Sequence, residues 1–267
     1  MDFATNYGPW AVILGASEGT GREFARQIAA KGVSPILLAR REGPLADLAR
    51  EIRAEFGVEA VTASVDLAAP DAFEQVKASV GNREVGLFVS NAGADSNASR
   101  FLDQELSAWV DLVRRNVMNV LQCSHHFAGP MRARKRGGLL LLNSMAGYSG
   151  TTRLATYSAS KAFDMCFAEG LWSELRGHGV DVLCLVMSST DTPAFRALLA
   201  DKGMPLPSVV AAPADVAAMG LAKLKDGPVQ NWATPEDEAG FAPMSAAARR
   251  ARVLAMEQSS NAIFGDD

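Results

Sequence analysis

Tyr157 and Lys161 stand four residues apart, with Ser144 thirteen residues before the tyrosine. On a helix this spacing puts phenol and ammonium on one face, one turn apart. An ammonium held beside a phenol favours the phenolate, and a phenol so tuned can pass a proton to or from a substrate oxygen. Ser144 can hydrogen-bond that same oxygen. A Y-x-x-x-K spacing alone is common in chance sequence, so its meaning depends on a second signal. That signal is Gly15-Ala16-Ser17-Glu18-Gly19-Thr20-Gly21. Its spacing is G-x-x-x-G-x-G, between an apolar run (Trp10 to Leu14) and a helical pattern from Arg22 to Lys31, which Gly32 is expected to end. A glycine-rich turn at the start of a helix lets backbone N–H groups approach phosphates.

The elements that must position these groups alternate along the first two thirds of the chain. Strands are predicted at Ala11–Leu14, Ser34–Ala39, Ala60–Ser64, Val85–Ser90, Leu139–Asn143 and Val180–Val186. Helices are predicted at Glu23–Lys31, Leu45–Phe56, Asp71–Val80, Ala108–Arg132 and Ala159–Arg176. The alternation implies an α/β fold, a Rossmann-type doubly wound parallel sheet with helices on both faces, in a single domain. Such sheets bind ligands beyond the carboxyl ends of their strands, where the glycine turn, Asn91 and Ser144 all fall. A proline-broken excursion, 187–212, with a short helix over Ala194–Lys202, is expected to form a substrate lid. Val229–Ala233 reads as a final strand. A C-terminal helical extension is expected near 245–267, with Arg249, Arg250 and Arg252 on a solvated face.

Composition narrows the class. The 267 residues are 48% hydrophobic, enough for one large core. A net charge of -4 argues against general nucleic-acid binding. Cys123, Cys166 and Cys184 lie far apart in apolar segments, which reads as reduced core thiols in a cytoplasmic protein. No apolar run reaches membrane-spanning length. His125 and His126 near Cys123 have no second ligand pair at metal spacing, so no metal site is expected. The run Arg132 to Arg136 reads as a solvated turn, with docking of an acidic carrier or a coenzyme A phosphate as the alternative.

Together these residues resemble the short-chain dehydrogenase/reductase family over roughly residues 8–225. The glycine turn matches T-G-x-x-x-G-x-G, with Leu14 where the family usually has threonine. Asp66, followed by Leu67, matches the acidic residue after the third strand, which the family uses near the adenine amine. Asn91-Ala92-Gly93 matches the N-A-G turn, and Asn116, Ser144, Tyr157 and Lys161 match the catalytic tetrad. The resemblance implies that Tyr157 is general acid and base, and that Lys161 tunes it and bonds the nicotinamide ribose. Ser144 would hold the substrate oxygen and Asn116 a water on the proton path. The chain departs from the family after the sixth strand, where Pro-Gly is replaced within Met187-Ser188-Ser189-Thr190-Asp191-Thr192. Thr192 keeps the carboxamide-contacting threonine and Thr190 takes a hydrophobic slot. Homodimers or homotetramers are implied, through the helices at Ala108–Arg132 and Ala159–Arg176.

Cofactor choice can be read from the end of the second strand. An NAD enzyme would place an acid there for the ribose hydroxyl. Here Ala39 is followed by Arg40 and Arg41, and a guanidinium can meet a 2′-phosphate by paired hydrogen bonds. Ser17 adds a hydroxyl; Glu18 pulls the other way. NADP(H) is therefore expected, with NAD(H) the alternative. Arg41 is equally readable as an ordinary surface charge. The opening Tyr7-Gly8-Pro9-Trp10 resembles the branch with 17β-hydroxysteroid dehydrogenases and long-chain 3-oxoacyl reductases. Met145, Tyr148, Leu154, Met187, Phe195, Leu198 and Met204 are candidate pocket residues for a small hydrophobic carbonyl or alcohol. Two other classes stay open: a non-catalytic NADPH-binding sensor, and an epimerase or dehydratase of the same fold.

Overall fold

The computed structural model describes residues 2–232 except Ser96, Thr151 and Lys202, and beyond them Arg250, Ala251 and Leu254. Short runs, rich in Val, Ile and Leu in all but the outermost two, form the strands β1 (Trp10–Leu14), β2 (Ser34–Ala39), β3 (Val61–Ser64), β4 (Val85–Ser90), β5 (Gly137–Ser144), β6 (Val180–Met187) and β7 (Val229–Asn231). They make one sheet in the order β3-β2-β1-β4-β5-β6-β7. Every pairing is parallel; in register, Val12 of β1 lies between Ile36 of β2 and Phe88 of β4. The order reverses between β1 and β4, which opens a crevice beyond the carboxyl ends of those strands.

Both faces of the sheet are covered, so the strands carry apolar side chains on both sides. On one face Ile13, Leu37, Leu140 and Leu183 pack with Phe24 and Ile28 of α2 (Gly19–Ala29), Leu48 and Ile52 of α3 (Glu42–Phe56), and Leu221 of α9 (Pro213–Lys223). On the other, Val12, Phe88, Leu141 and Val186 pack with Val76 of α4 (Ala72–Val80), Phe127 of α6 (Asn119–Arg134) and Met165 of α7 (Ala155–Leu175). Burial of each large side chain contributes about 1.5–3 kcal/mol. Helix α3 stops where Gly57 takes φ 68° and its N–H reaches the Arg53 carbonyl, a left-handed cap suited to glycine.

The structure refines the expected elements. A short helix α1 (Phe3–Tyr7), not anticipated, seals the amino edge of the sheet: the Tyr7 hydroxyl donates to Asp181 Oδ2 at 2.6 Å. Helix α2 ends at Ala29; Gly32, at φ 79°, turns the chain after it. The helix expected over Ala108–Arg132 is interrupted: α5 (Leu106–Val113) passes into a π turn over Arg114–Met118 before α6 begins. Asn119 explains the break, since its side-chain amide donates to the Arg114 carbonyl and to the Leu67 carbonyl. β7 ends at Asn231; Ala233 lies outside the described residues, as does most of the expected C-terminal helix. Within that segment the Arg250 guanidinium is not simply solvated. It bonds the Gly227 carbonyl and lies 5.6 Å from the Trp172 ring centre.

Other expectations change with the placement. Cys166 is exposed on α7, whereas Cys123 and Cys184 are buried. Most of the basic run belongs to α6, at the sheet end opposite the crevice. There Arg134 bonds the Val85 carbonyl, while Arg136 pairs with Glu84 and bonds the Thr5 carbonyl. Two of its charges are spent on tying elements together. No described helix is long and apolar enough to cross a membrane. Among the described residues no three side chains of metal-ligating type group together.

Candidate active site

The crevice at the carboxyl ends of the strands is a cleft of about 1130 Å³. Its floor is the glycine turn between β1 and α2. The Gly15 N–H bonds the Leu38 carbonyl at 2.7 Å, and Asn91 Nδ2 donates to the Gly15 carbonyl at 3.0 Å, locking the turn to β2 and β4. Gly21 serves this closeness from beneath and does not line the cleft. A Cβ there would stand 2.1 Å from the Gly15 carbonyl oxygen. Gly19 opens α2 at φ 53°, and Glu18, at the N-cap, makes no side-chain capping bond. The first N–H groups of α2 are therefore left for an anion, the usual arrangement at a phosphate-binding helix terminus.

Charged groups gather at the far end. Ser17, Glu18, Arg40, Arg41, Asp66, Leu67 and Arg115 all line the cleft. Arg41 forms an ion pair with Glu18, and its guanidinium is 3.4 Å from Ser17 Oγ. Arg115 was not singled out from the sequence. Its guanidinium donates to the Ala94 carbonyl at 3.2 Å. Burial, and then the nearby Arg40 charge, lower its pKa. Two guanidiniums that disfavour each other across a cleft favour an anion between them.

The other end holds a hydroxyl, a phenol and an ammonium. Ser144, Tyr157 and Lys161 line the cleft with Asn91, Ala92 and Gly93. Ser144 Oγ accepts from the Ala146 N–H at 3.2 Å, which leaves its hydroxyl hydrogen to donate into the cleft. Lys161 is buried, and its ammonium donates to the Leu142 carbonyl at 2.9 Å and to Asp164 Oδ2 at 3.0 Å. Burial works against the ammonium, but the Asp164 carboxylate, with Tyr157 and Cys184 nearby, outweighs it and raises the lysine pKa. Asn116 sits behind this wall, not in it. Fully buried on the π turn, it donates to the Gly93 carbonyl at 3.2 Å and to Ser160 Oγ at 3.1 Å. A Cβ at Gly93 would stand 3.0 Å from Lys161 Nζ and crowd the ammonium.

Of the candidate substrate residues, Met145, Leu154, Met187, Phe195 and Leu198 line the cleft; Tyr148 and Met204 do not. The Tyr148 hydroxyl is turned to Asn231 on β7, and Met204 is exposed beyond the helix α8 (Pro193–Asp201). Thr190 and Thr192 line the cleft just before α8. Thr192 Oγ1 accepts from the Phe195 N–H at 3.1 Å and so caps the start of α8. Arg115, Asp164 and Asn119 were missed because nothing local marks them; each matters through a partner distant in sequence or one turn away on a buried face.

A family model described as short chain dehydrogenase matches residues 9–203. A 7beta-hydroxysteroid dehydrogenase of Collinsella aerofaciens is 34% identical over 195 residues, 73% of this chain and 74% of that protein. A very-long-chain 3-oxoacyl-CoA reductase of Laccaria bicolor is 38% identical over 183 residues, 67% of this chain but 54% of that reductase. A solved 7beta-hydroxysteroid dehydrogenase superposes with a TM-score of 0.82 at 28% identity, covering 95% of this chain and 100% of the other. A metagenomic short-chain oxidoreductase in complex with NADP superposes with a TM-score of 0.69 at 27% identity, covering 86% and 98%.

Proposed function

The chain belongs to the short chain dehydrogenase family, and on that premise we propose that it interconverts a hydrophobic ketone and a secondary alcohol with NADP(H), using Tyr157 as general acid and base. The observation that carries this reading is the sharing of one cleft. The α2 N-terminus, the guanidiniums of Arg40, Arg41 and Arg115, and Ser144, Tyr157 and Lys161 all line it. The donor set suits a dinucleotide phosphate. The N-terminus of α2 would hold the diphosphate, and Arg40 would hold the 2′-phosphate. Among the described residues Arg40 has no carboxylate partner, whereas Arg41 is engaged by Glu18. The metagenomic relative bound to NADP supports the same choice.

The bound nicotinamide supplies or accepts the hydride. The chain's own residues do the rest. Ser144 donates to the substrate oxygen and fixes its distance from the phenol. Tyr157 gives that oxygen a proton in reduction and removes it in oxidation. Lys161 stabilises the phenolate form by its charge. Asn116 opens a path for the proton away from Lys161. Met145, Leu154, Met187, Phe195 and Leu198 supply an apolar wall, which fits a steroid-like or long-chain 3-oxoacyl substrate, the classes named among the relatives. The helix α8 closes over that wall and excludes water. The working unit is a homodimer or homotetramer. The support is an exposed apolar stripe on and before α5 and α6: Leu102 (89% exposed), Leu106 (69%), Val110, Val113 and Leu121.

A panel of bulky ketones and secondary alcohols, offered with NADPH and with NADH and followed at the nicotinamide absorbance, tests the reading. Turnover of hydrophobic ketones with preference for NADPH is expected. Cofactor binding without turnover across the panel would instead favour a sensor.

A further inference from the structure

Asp164 has no part in the chemistry described so far, yet its place is unusual. It lies one turn beyond Lys161 on α7 and is only 1% exposed. A buried carboxylate is costly unless it is paired and hydrogen-bonded. Its Oδ2 takes the Lys161 ammonium at 3.0 Å, while Oδ1 is buried with no hydrogen-bond partner among the described residues. An apolar side chain of similar size would fill the same space between α7 and the sheet at less electrostatic cost. Packing therefore does not account for an acid at this position.

The charge balance does. The titratable neighbours of the pair are Tyr157 on the same helix and Cys184 from β6. Asn143 of β5 and Asn116 of the π turn complete the surroundings without charge: the first donates to the Lys161 carbonyl, and Asn116 borders Gly93 together with the ammonium. The Asp164 carboxylate is thus the one buried anion held against the Lys161 ammonium among the described residues. We propose that Asp164 is a positioning residue for proton transfer: its carboxylate holds the Lys161 ammonium in place and sets the pH at which the Tyr157–Lys161 couple releases its proton. The proposal rests on the roles given above to Tyr157 and Lys161.

The sign follows from Coulomb's law. A proton leaves more readily when a nearby negative charge is taken away, whether it departs from the phenol or from the ammonium. Removing the Asp164 charge must therefore move the couple's ionisation to lower pH.

Three variants test this: Asp164→Asn, Asp164→Ser and Asp164→Glu. Two quantities are read against pH. One is kcat/KM for alcohol oxidation; the other is tyrosinate difference absorbance of the cofactor-free protein, with Tyr157→Phe as the blank. For Asn and Ser, the acidic limb of the rate profile and the tyrosinate midpoint are both expected to fall by about one pH unit, the scale of a neighbouring charge. Glu, which keeps the charge, should track the wild type. Unshifted Asn and Ser variants beside an inactive Tyr157→Phe would overturn the proposal and leave the catalytic reading standing. A Tyr157→Phe variant that still turns over would overturn that reading itself. If neither Asn nor Ser folds in a thermal melt, Asp164 is a stability element and the proposal fails.

Discussion

Arg40 and Arg41 are adjacent in sequence but differ in what holds them. Arg41 is tied to Glu18, whereas Arg40 faces Arg115 across the cleft without a carboxylate partner among the described residues. Arg40→Ala should therefore weaken NADPH binding by about 1.5–3 kcal/mol, the scale of hydrogen bonds to a charged group, and hardly change NADH binding. Fluorescence titration with both cofactors checks this; equal losses would take Arg40 out of the 2′-phosphate site. At this scale the sequence was informative where the chemistry is local. Tyr157 and Lys161 share a helix face by spacing alone, and the glycine turn is contiguous. Asp164 stands three residues beyond Lys161, yet nothing in the spacing said that it would be buried against the ammonium. Arg115 was not singled out, because its approach to Arg40 joins two elements far apart in sequence. Tyr148 stands outside the cleft lining for the same reason: its hydroxyl bonds Asn231, on the last strand.

Helix α8 is the element whose behaviour matters most. No residue in it is buried, while its root is well tied. Thr190 bridges Ala211, Asp191 pairs with Arg196, and Thr192 caps the first turn. A segment with few buried contacts opens at low free energy, and a fixed root confines the motion to the segment between. Amide exchange along α8 should be fast in the free protein and slow when NADPH and a bulky ketone analogue are both bound. Slow exchange from the outset, or none of the expected protection on binding, would make α8 fixed scaffold. Most strands and helices were legible as elements because their apolar periodicity is strong. The π turn was not. It depends on the Asn119 side chain reaching the Arg114 carbonyl and the Leu67 carbonyl, and a helical pattern carries no trace of an added residue.

The whole molecule keeps its two sheet edges apart in purpose. The amino edge is sealed by α1, through the Tyr7–Asp181 bond, and by the basic end of α6. The carboxyl edge is left open as the cleft. The doubly wound order was legible because β-α alternation permits few topologies, whereas α1 is too short to show a period. A further surface is unaccounted for in one copy of the chain. The homo-oligomer proposed above would bury the apolar stripe through Leu106 and Val110, so Leu106→Lys should shift the protein to a smaller species in sedimentation. A wild type that sediments as a monomer would remove that inference without touching the cleft. The central claim, that Tyr157 moves the proton while the rest of the cleft holds the cofactor, is tested most directly by Tyr157→Phe. Steady-state turnover and NADPH affinity should be measured on the same preparation. Turnover in both directions should vanish while NADPH affinity stays near that of the wild type. Retention of most of the activity would contradict the account.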